Sequence, residues 1–269
     1  MLASLVEMLV RRPLRRVVSP QRRGQIKSFL GLPKTVLHAD WHILSTIGPP
    51  EEPHVVFDIG AHHGWFFHCW LDWCPNAEVH AFEPFPPSYQ AILRQYGVDP
   101  RVSLRQTGVG ATVGEQTFYV LNESTVSNSF LVPNREVWES VRYNTGLVTE
   151  TTVPVTTIDA YVDQQHVEQI YLVKIDVQGY EMHVLRGAEQ SLPKIEHIFV
   201  EAGIQRLYEG APRFSDAFEF LTARGFHLMA MRAWHRGNHV LMETDMLFRR
   251  NGLAPPVDES VVKVMENVG

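Results

Sequence analysis

The segment His54-Val55-Val56-Phe57-Asp58-Ile59-Gly60-Ala61-His62-His63-Gly64 decides the fold class of this chain. Its apolar first half is typical of a parallel strand covered on both faces, and its glycines indicate a turn before a helix that begins near Trp65. Open α/β sheets bind ligands at such turns, although a purely structural turn is the alternative. The spacing is D-x-G-x-x-x-G, not the dinucleotide-binding G-x-G-x-x-G, and an acid here would repel a pyrophosphate.

A second acid ends the next predicted strand. The run Glu78-Val79-His80-Ala81-Phe82-Glu83 follows a polar connection and ends about 20 residues beyond the glycine turn. A carboxylate at this point is suited to accept both hydroxyls of an adenosine ribose. Glu83 alone could instead cap the helix that Pro86 and Pro87 open. Asp58 and Glu83 at two successive strand ends together favour a nucleotide-type ligand.

Strand and helix signals alternate along the rest of the chain. This alternation predicts an α/β fold with a doubly wound, mostly parallel sheet and a C-terminal antiparallel hairpin. We divide the chain into a basic N-terminal helical extension (1–50), one large domain (51–250) and a C-terminal tail (251–269). Residues 122–150 are polar and turn-rich, and a loop of that length is usually functional or mobile. The predicted elements are strands 101–106, 116–121, 151–157, 169–176 and 195–201, helices 181–188 and 214–223, and a hairpin of 225–231 with 240–248.

The composition is that of an ordinary globular protein. The chain has 269 residues, of which 45% are hydrophobic and 20% charged. Its two cysteines, Cys69 and Cys74, indicate no disulfide framework and favour a reducing compartment, so we expect a cytoplasmic protein. Residues 1–10 are apolar but too short to span a bilayer. The arginines follow this run, whereas a secretory signal has its positive charge before it.

The N-terminal segment is basic, although the formal net charge of the chain is −6. A basic arm could contact an anionic membrane surface, a nucleic acid or a phosphorylated glycan carrier. The alternative is a helical extension with a solvated basic face that covers an edge of the domain. The acidic remainder of the chain argues against nucleic acid as the partner. The basic residues before position 35 are Arg11, Arg12, Arg15, Arg16, Arg22, Arg23, Lys27 and Lys34, against Glu7 alone.

A second segment whose side chains could take part in catalysis runs from Tyr171 to Glu181, with the sequence YLVKIDVQGYE. Asp176 lies at a predicted strand end, and Lys174 is on the same strand face because side chains alternate. Glu201 ends the following strand and could approach from the side. These three residues are our catalytic candidates. A structural ion pair between Lys174 and Asp176 is the alternative.

The order of these motifs resembles the FkbM-type family of class I S-adenosylmethionine (AdoMet) methyltransferases. The resemblance runs from about Val55 to Phe248 and leaves out the basic N-terminus. It implies a Rossmann-like sheet of seven strands, AdoMet as methyl donor and usually O-methylation of a hydroxyl on a polyketide macrocycle, a sugar or another secondary metabolite. The matching phrases are FDIGA (57–61), AFEP (81–84), SNSF (127–130), VTTID (155–159), KIDVQGYE (174–181) and LRGA (185–188).

The resemblance also implies which residues contact the cofactor. Two positions depart from the family pattern, since His62 stands where Asn is usual and Gln178 where Glu is usual. An acid or Asn near Gly110 is also missing, which leaves the adenine contacts open. The implied cofactor residues are Asp58, Gly60, Ala61, His62, Gly64, Glu83, Pro84, Thr107 and Gly108.

The expected mechanism is an in-line displacement in which the protein aligns the acceptor oxygen with the methyl group. Asp176 is the first choice for the general base and Glu201 the second. A magnesium-assisted variant stays open, because Asp176 and Glu201 are hard oxygen ligands that suit this ion. We assign no metal ligand, since no dense carboxylate cluster demands one. The expected partner is a small-molecule or glycan hydroxyl acceptor. Two other functions stay open, a ribose 2′-O-methyltransferase acting on RNA through Lys174, Asp176 and Glu201, and a non-catalytic AdoMet-binding protein.

Overall fold

The computed structural model of the chain describes residues 43–48, 50, 52–97, 99–122, 124–140, 146–236 and 240–253. The chain divides into two compact units, Met1–Thr46 and Ile47–Gly269. The predicted basic arm and most of the predicted C-terminal tail lie outside the described residues. In the part of the chain that is described, no helix is both long and apolar enough to cross a membrane.

The described residues form ten β-strands, numbered in chain order. Their bounds are β1 (His54–Ile59), β2 (Ala77–Phe82), β3 (Val102–Arg105), β4 (Gly108–Val109), β5 (Gly114–Leu121), β6 (Val148–Thr156), β7 (Ile170–Ile175), β8 (Ile195–Gly203), β9 (Phe226–Arg236) and β10 (Val240–Arg250).

Seven of these strands form the main sheet, in the order β3-β2-β1-β7-β8-β10-β9. The first five are parallel to one another, and β10 runs antiparallel to both β8 and β9. The carboxyl ends of β1, β2, β7 and β8 therefore meet at one edge of the sheet. The predicted Rossmann-like, mostly parallel seven-stranded sheet with a C-terminal antiparallel hairpin is confirmed.

Six α-helices connect the strands of the described chain. They are α1 (Trp65–Trp73), α2 (Pro86–Tyr96), α3 (Arg135–Ser140), α4 (Ile158–Gln165), α5 (Glu181–Arg186) and α6 (Phe214–Ala223). Apolar residues of the central strands, such as Phe57, Ile59, Val173 and Ile175, are buried in one continuous core with residues of α4, α5 and α6. Burial on both faces explains why these strands are apolar runs and not alternating patterns.

A second sheet of three strands, in the order β4-β6-β5, lies between β3 and β7 in the sequence. The sequence analysis predicted β5 and β6 as strands but did not predict that they leave the main sheet. The prediction of an irregular 122–150 segment was wrong in part. This segment contains a 3₁₀ turn (Thr125–Ser127), the helix α3 and the first residues of β6.

Candidate active site

The glycine turn after β1 ties three strand ends together. The backbone N–H groups of Gly60 and Ala61 both donate to the Phe82 carbonyl, at 3.1 and 3.0 Å, and Asp176 N–H donates to the Ile59 carbonyl at 3.1 Å. Gly60 has φ +79°, and a Cβ added there would lie 1.9 Å from the Asp176 carbonyl oxygen. Only glycine fits this crossing, because both the backbone angle and the space exclude a side chain.

His62 continues the turn with a left-handed backbone, φ +49°. Asn and His are among the residues that tolerate this conformation, which accounts for a histidine at a position where Asn is usual in the family. Its N–H donates to Glu83 Oε2 at 2.7 Å, and its ring Nε2 lies 3.1 Å from Thr125 Oγ1. Burial and the neighbouring His63 lower the pKa of His62 to about 4, so the ring is neutral.

Glu83 lies directly after β2, beside the turn, and is 5% exposed. Its Oε1 accepts the Phe85 N–H at 2.8 Å, in addition to the bond from His62. Glu83 is not the cap of α2, because Phe85 is the N-cap residue and no side chain caps that helix. Burial raises the pKa of Glu83 to about 7, although the two backbone N–H groups oppose this shift.

Asp58 lies beneath the turn, where its side chain is fully buried against Lys174. Lys174 Nζ is 3.1 Å from Asp58 Oδ1, donates to the Gly60 carbonyl at 2.8 Å and lies 3.6 Å from Asp176 Oδ2. Burial raises the pKa of Asp58, and Lys174 opposes that shift. Burial would lower the pKa of Lys174, but Asp58 and Asp176 raise it above its ordinary value. Lys174 therefore stays positively charged and connects the turn to Asp58 and Asp176 on its buried side.

The other predicted cofactor residues lie around the turn and at the start of the small sheet. Gly64 has φ +75° and is the N-cap residue of α1. Thr107 Oγ1 donates to the Pro154 carbonyl at 2.9 Å, and Gly108 begins β4. A Cβ at Gly108 would lie 2.3 Å from the Phe130 ring, so a close ring contact requires this glycine. Ala61 and Pro84 are both buried.

Asp176 directly follows β7 and Glu201 lies within β8, two residues before its end at Gly203, and the structure brings the two side chains together. Gln178 joins them, because its Nε2 donates to Asp176 Oδ1 at 2.9 Å and to Glu201 Oε2 at 2.8 Å. The Asp176 side chain is 36% exposed, whereas Lys174 is 7% exposed on the other side. The structure thus forms the Lys174–Asp176 ion pair that was the structural alternative, and the Asp176 side chain also lines the pocket.

The two carboxyl groups differ in their protonation. Burial favours the neutral form of Asp176, but Lys174 and the Gln178 amide outweigh it and lower the pKa of Asp176. Burial, Asp176, Glu243 and Asp245 raise the pKa of Glu201 well above its ordinary value. Because the Gln178 amide links the two carboxyl groups, they titrate as a pair. Within the pair, Asp176 therefore loses its proton at a lower pH than Glu201.

A pocket of about 220 Å³ opens beside this pair. Its lining combines acidic and apolar side chains. The residues that line it are Val126, Ser127, Trp138, Asp176, Gln178, Glu201, Leu207, Met242 and Glu243. The described residues contain no group of three His, Cys, Asp or Glu side chains placed to hold a metal ion.

Two residues that were not predicted connect the segment between β5 and β6 to the catalytic candidates and their neighbours. Ser129 Oγ donates to the Gln178 carbonyl at 2.7 Å, and Tyr208 OH donates to the Ser127 carbonyl at 2.8 Å. Ser129 belongs to the SNSF phrase, so the motif was visible in the sequence but its role was not. Tyr208 follows β8 and lies within no recognised phrase.

Comparisons with known proteins agree with this architecture. The family model described as "Methyltransferase FkbM domain" matches residues 58–228. The 2-O-methyltransferase NoeI of Sinorhizobium fredii is 27% identical over 241 residues, which cover 87% of this chain and 93% of that protein. The 31-O-demethyl-FK506 methyltransferase FkbM of Streptomyces tacrolimicus is 28% identical over 168 residues, which cover 55% of this chain and 64% of that protein.

A fungal relative and a solved structure are also similar. Methyltransferase sdnD of Sordaria araneosa is 26% identical over 223 residues, which cover 68% of this chain and 85% of that protein. The structure of M. capricolum TrmK in complex with S-adenosyl-homocysteine has a TM-score of 0.47 at 8% identity, covering 83% of this chain and 73% of that chain. Because the family model matches more than half of the residues, the chain belongs to the FkbM methyltransferase family and is a methyltransferase enzyme.

Proposed function

We propose that the protein is an AdoMet-dependent O-methyltransferase that acts on a hydroxyl of a sugar, a glycan or another small metabolite. The observation that carries this proposal is the Asp176–Gln178–Glu201 cluster, which borders a pocket and is joined to the glycine turn by the bond from Asp176 N–H to the Ile59 carbonyl. The names of two relatives, a 2-O-methyltransferase and a 31-O-demethyl-FK506 methyltransferase, support oxygen as the acceptor atom.

The donor set at the turn fits AdoMet. Each oxygen of Glu83 accepts one backbone N–H, at 2.7 and 2.8 Å, and a carboxylate oxygen has a second lone pair. Those two lone pairs suit the paired hydroxyls of a ribose. When bound, AdoMet supplies a methyl group that its sulfonium makes electrophilic. The residues that would hold it are the turn from Gly60 to Gly64, Glu83 and Pro84, with Thr107 and Gly108 towards the adenine.

Asp176 is the group best suited to accept the hydroxyl proton. It faces the pocket and its pKa is lowered, whereas the pKa of Glu201 is raised well above its ordinary value. The lowered pKa makes Asp176 a weak base, but a weak base suffices because an alcohol oxygen becomes strongly acidic as it gains a methyl group. Lys174 is a positioning residue in this scheme, since it is buried and holds Asp58, the Gly60 carbonyl and Asp176 together.

The pocket favours an uncharged acceptor end over an anionic one. Its volume of about 220 Å³ lies below the ~300–1,000 Å³ of typical ligand pockets. It therefore suits the methyl-accepting end of a substrate, such as one sugar ring. Asp176, Glu201 and Glu243 all line it, so the phosphodiesters of RNA would meet acidic side chains. This acidity argues against a ribose 2′-O-methyltransferase. The hydrogen-bonded Asp176–Gln178–Glu201 cluster beside the pocket argues against a non-catalytic binding protein.

The test combines binding with turnover. Calorimetry on the purified protein should detect S-adenosylhomocysteine and AdoMet, and NAD binding tighter than S-adenosylhomocysteine would contradict the cofactor assignment. Methyl transfer from labelled AdoMet is then measured over a panel of glycosides, oligosaccharides and hydroxylated polyketides. We expect Asp176→Asn to lower turnover by roughly 10²–10⁴ while cofactor affinity stays within a few-fold, with a smaller effect for Glu201→Gln. Loss of cofactor binding in Asp176→Asn would move Asp176 into the cofactor site.

A further inference from the structure

Gln178 has an unusual backbone conformation at the end of β7. Its φ is +55°, and Gly179 follows with φ +91°, so two successive residues are left-handed. A left-handed glutamine is strained and persists only where its surroundings hold it. The Ser129 hydroxyl provides one such restraint, because it donates to the Gln178 carbonyl at 2.7 Å.

Both the nitrogen and the oxygen of the Gln178 side-chain amide have hydrogen-bonding partners. Its Nε2 carries two hydrogens, and the two short contacts, 2.9 Å to Asp176 Oδ1 and 2.8 Å to Glu201 Oε2, use both. Its Oε1 lies 3.2 Å from the hydroxyl of Tyr208, a side chain that is 1% exposed. The amide orientation is the favourable one, since the opposite orientation would direct its oxygen at two carboxyl groups.

We propose that Gln178 is a positioning residue for methyl transfer, whose amide holds the carboxyl groups of Asp176 and Glu201 in one arrangement facing the acceptor pocket. This proposal rests on the proposed function. An amide suits this role because it donates two hydrogen bonds without adding charge. A carboxylate at position 178 would add a third acid between two others, and an apolar side chain would leave both groups without their shared donor.

Removing the amide should change how the pair binds protons. Hydrogen bonds to a carboxylate favour its charged form, so their loss raises the pKa. The charged and titratable groups that act on Asp176 and Glu201 from the surrounding elements stay unchanged in such a variant. They are Asp58 on β1, His62 in the turn, Lys174 on β7, Glu181 on α5, Tyr208 after β8, and Glu243 and Asp245 on β10.

The test is a pH titration of protein labelled with ¹³C at the Asp and Glu carboxyl carbons, with the two signals assigned through Asp176→Asn and Glu201→Gln. In Gln178→Met, which has a similar length and no amide, both macroscopic pKa values of the pair should rise by about one unit. Gln178→Glu should raise the upper value further, because it adds a like charge. Gln190→Met, at an exposed glutamine, is the matched control and should leave the titration unchanged.

Gln178→Asn separates the amide from the backbone. Asparagine keeps an amide and tolerates the left-handed conformation, but it is one methylene too short to bridge both carboxyl groups. We expect its titration to shift, and its turnover on the acceptor panel to fall about tenfold or more, with S-adenosylhomocysteine affinity within about threefold. Wild-type titration and turnover in Gln178→Asn would mean that only the backbone matters and would overturn the proposal. So would an unshifted titration in folded Gln178→Met.

The titration requires neither cofactor nor acceptor. A wild-type protein that fails to bind S-adenosylhomocysteine would refute the proposed function and leave the titration interpretable. A protein that binds the cofactor and methylates an acceptor, but whose pair titrates identically in all three Gln178 variants, would refute only the role of Gln178.

Discussion

The cofactor turn and the acceptor pocket are built in opposite ways. The turn consists of consecutive residues after β1, and backbone bonds to β2 and β7 fix its shape. The pocket takes its lining from the 3₁₀ turn, α3, β7, β8 and β10, which lie far apart in the sequence. A site formed by backbone groups tolerates almost no substitution where two backbone segments touch. A site formed by side chains can change its ligand through substitutions while the fold persists. The comparison predicts that cofactor binding and acceptor binding respond to different substitutions.

The strongest test of the comparison is Gly60→Ala. The added Cβ would lie 1.9 Å from the Asp176 carbonyl oxygen, and alanine is strained at φ +79°. We expect a loss of unfolding free energy of about 4 kcal/mol or more and no measurable S-adenosylhomocysteine binding. Chemical denaturation and calorimetry measure the two effects.

Gly210→Ala is the matched control for that variant. Gly210 has φ +69°, but no atom of the described residues lies within 4 Å of a Cβ built there. The control therefore has the backbone strain without the collision and should lose only about 1–2 kcal/mol. Equal losses of unfolding free energy in the two variants would show that backbone strain accounts for the whole effect. The close contact between Gly60 and the Asp176 carbonyl would then contribute nothing.

Lys174→Met tests how much the buried cation contributes to stability beneath the turn. The variant leaves the Asp58 carboxylate buried without its cation, which should cost about 3–5 kcal/mol of stability. Adding Asp58→Asn should recover part of that loss, because the buried charge is then gone. Lys194→Met is the control, since Lys194 Nζ donates to a backbone group, the Val167 carbonyl at 2.9 Å, and not to a buried carboxylate. If the two lysine variants unfold at the same denaturant concentration, the ion pairs of Lys174 with Asp58 and Asp176 do not stabilise the turn.

The same contrast explains what could be predicted from the sequence. The cofactor half was predictable, because Asp58, Gly60 and Glu83 follow apolar runs at recognisable spacings. The sequence also suggested that Asp176 and Glu201 approach each other, since both end neighbouring parallel strands. It did not show that Lys174 turns inward to Asp58, because a period of two gives the strand face but not the partner. Nor did it show that β4, β5 and β6 form a separate sheet, since strand pairing depends on contacts between distant residues.

Glu83 gives a test through pH. Its pKa in the folded protein is raised from 4.5 to about 7, so the stability it allows is fully present below about pH 4.5 and is lost as pH rises through about 7. The loss amounts to about 3 kcal/mol, at about 1.4 kcal/mol for each pKa unit. Glu83→Gln should flatten this part of the curve of unfolding free energy against pH, even if the amide lowers stability at every pH by facing a backbone N–H. A curve that stays unchanged would mean that Glu83 is already ionised in the folded protein.

Cofactor binding should reverse the shift in Glu83. Ribose hydroxyls that donate to the carboxylate favour its charged form, so binding of S-adenosylhomocysteine near pH 6 should release a proton. Calorimetry in buffers of different ionisation enthalpy measures this release, and Glu83→Gln should abolish it. Binding without proton release in the wild type would indicate that the ribose contacts another group.

Ser129→Ala is the mildest test and addresses the acceptor side. The Ser129 hydroxyl is fully buried, donates to the Gln178 carbonyl at 2.7 Å and accepts the Leu131 N–H at 3.0 Å. Its removal leaves the Gln178 carbonyl and the Leu131 N–H without this partner, so unfolding free energy should fall by about 1–2 kcal/mol. S-adenosylhomocysteine affinity should stay within about twofold, because Gly60 and Glu83 keep their contacts. Ser140→Ala, at an exposed serine, should change neither quantity. A tenfold loss of cofactor affinity in Ser129→Ala would show that the insertion and the turn act as one unit, and the division into a backbone-built and a side-chain-built half would then fail.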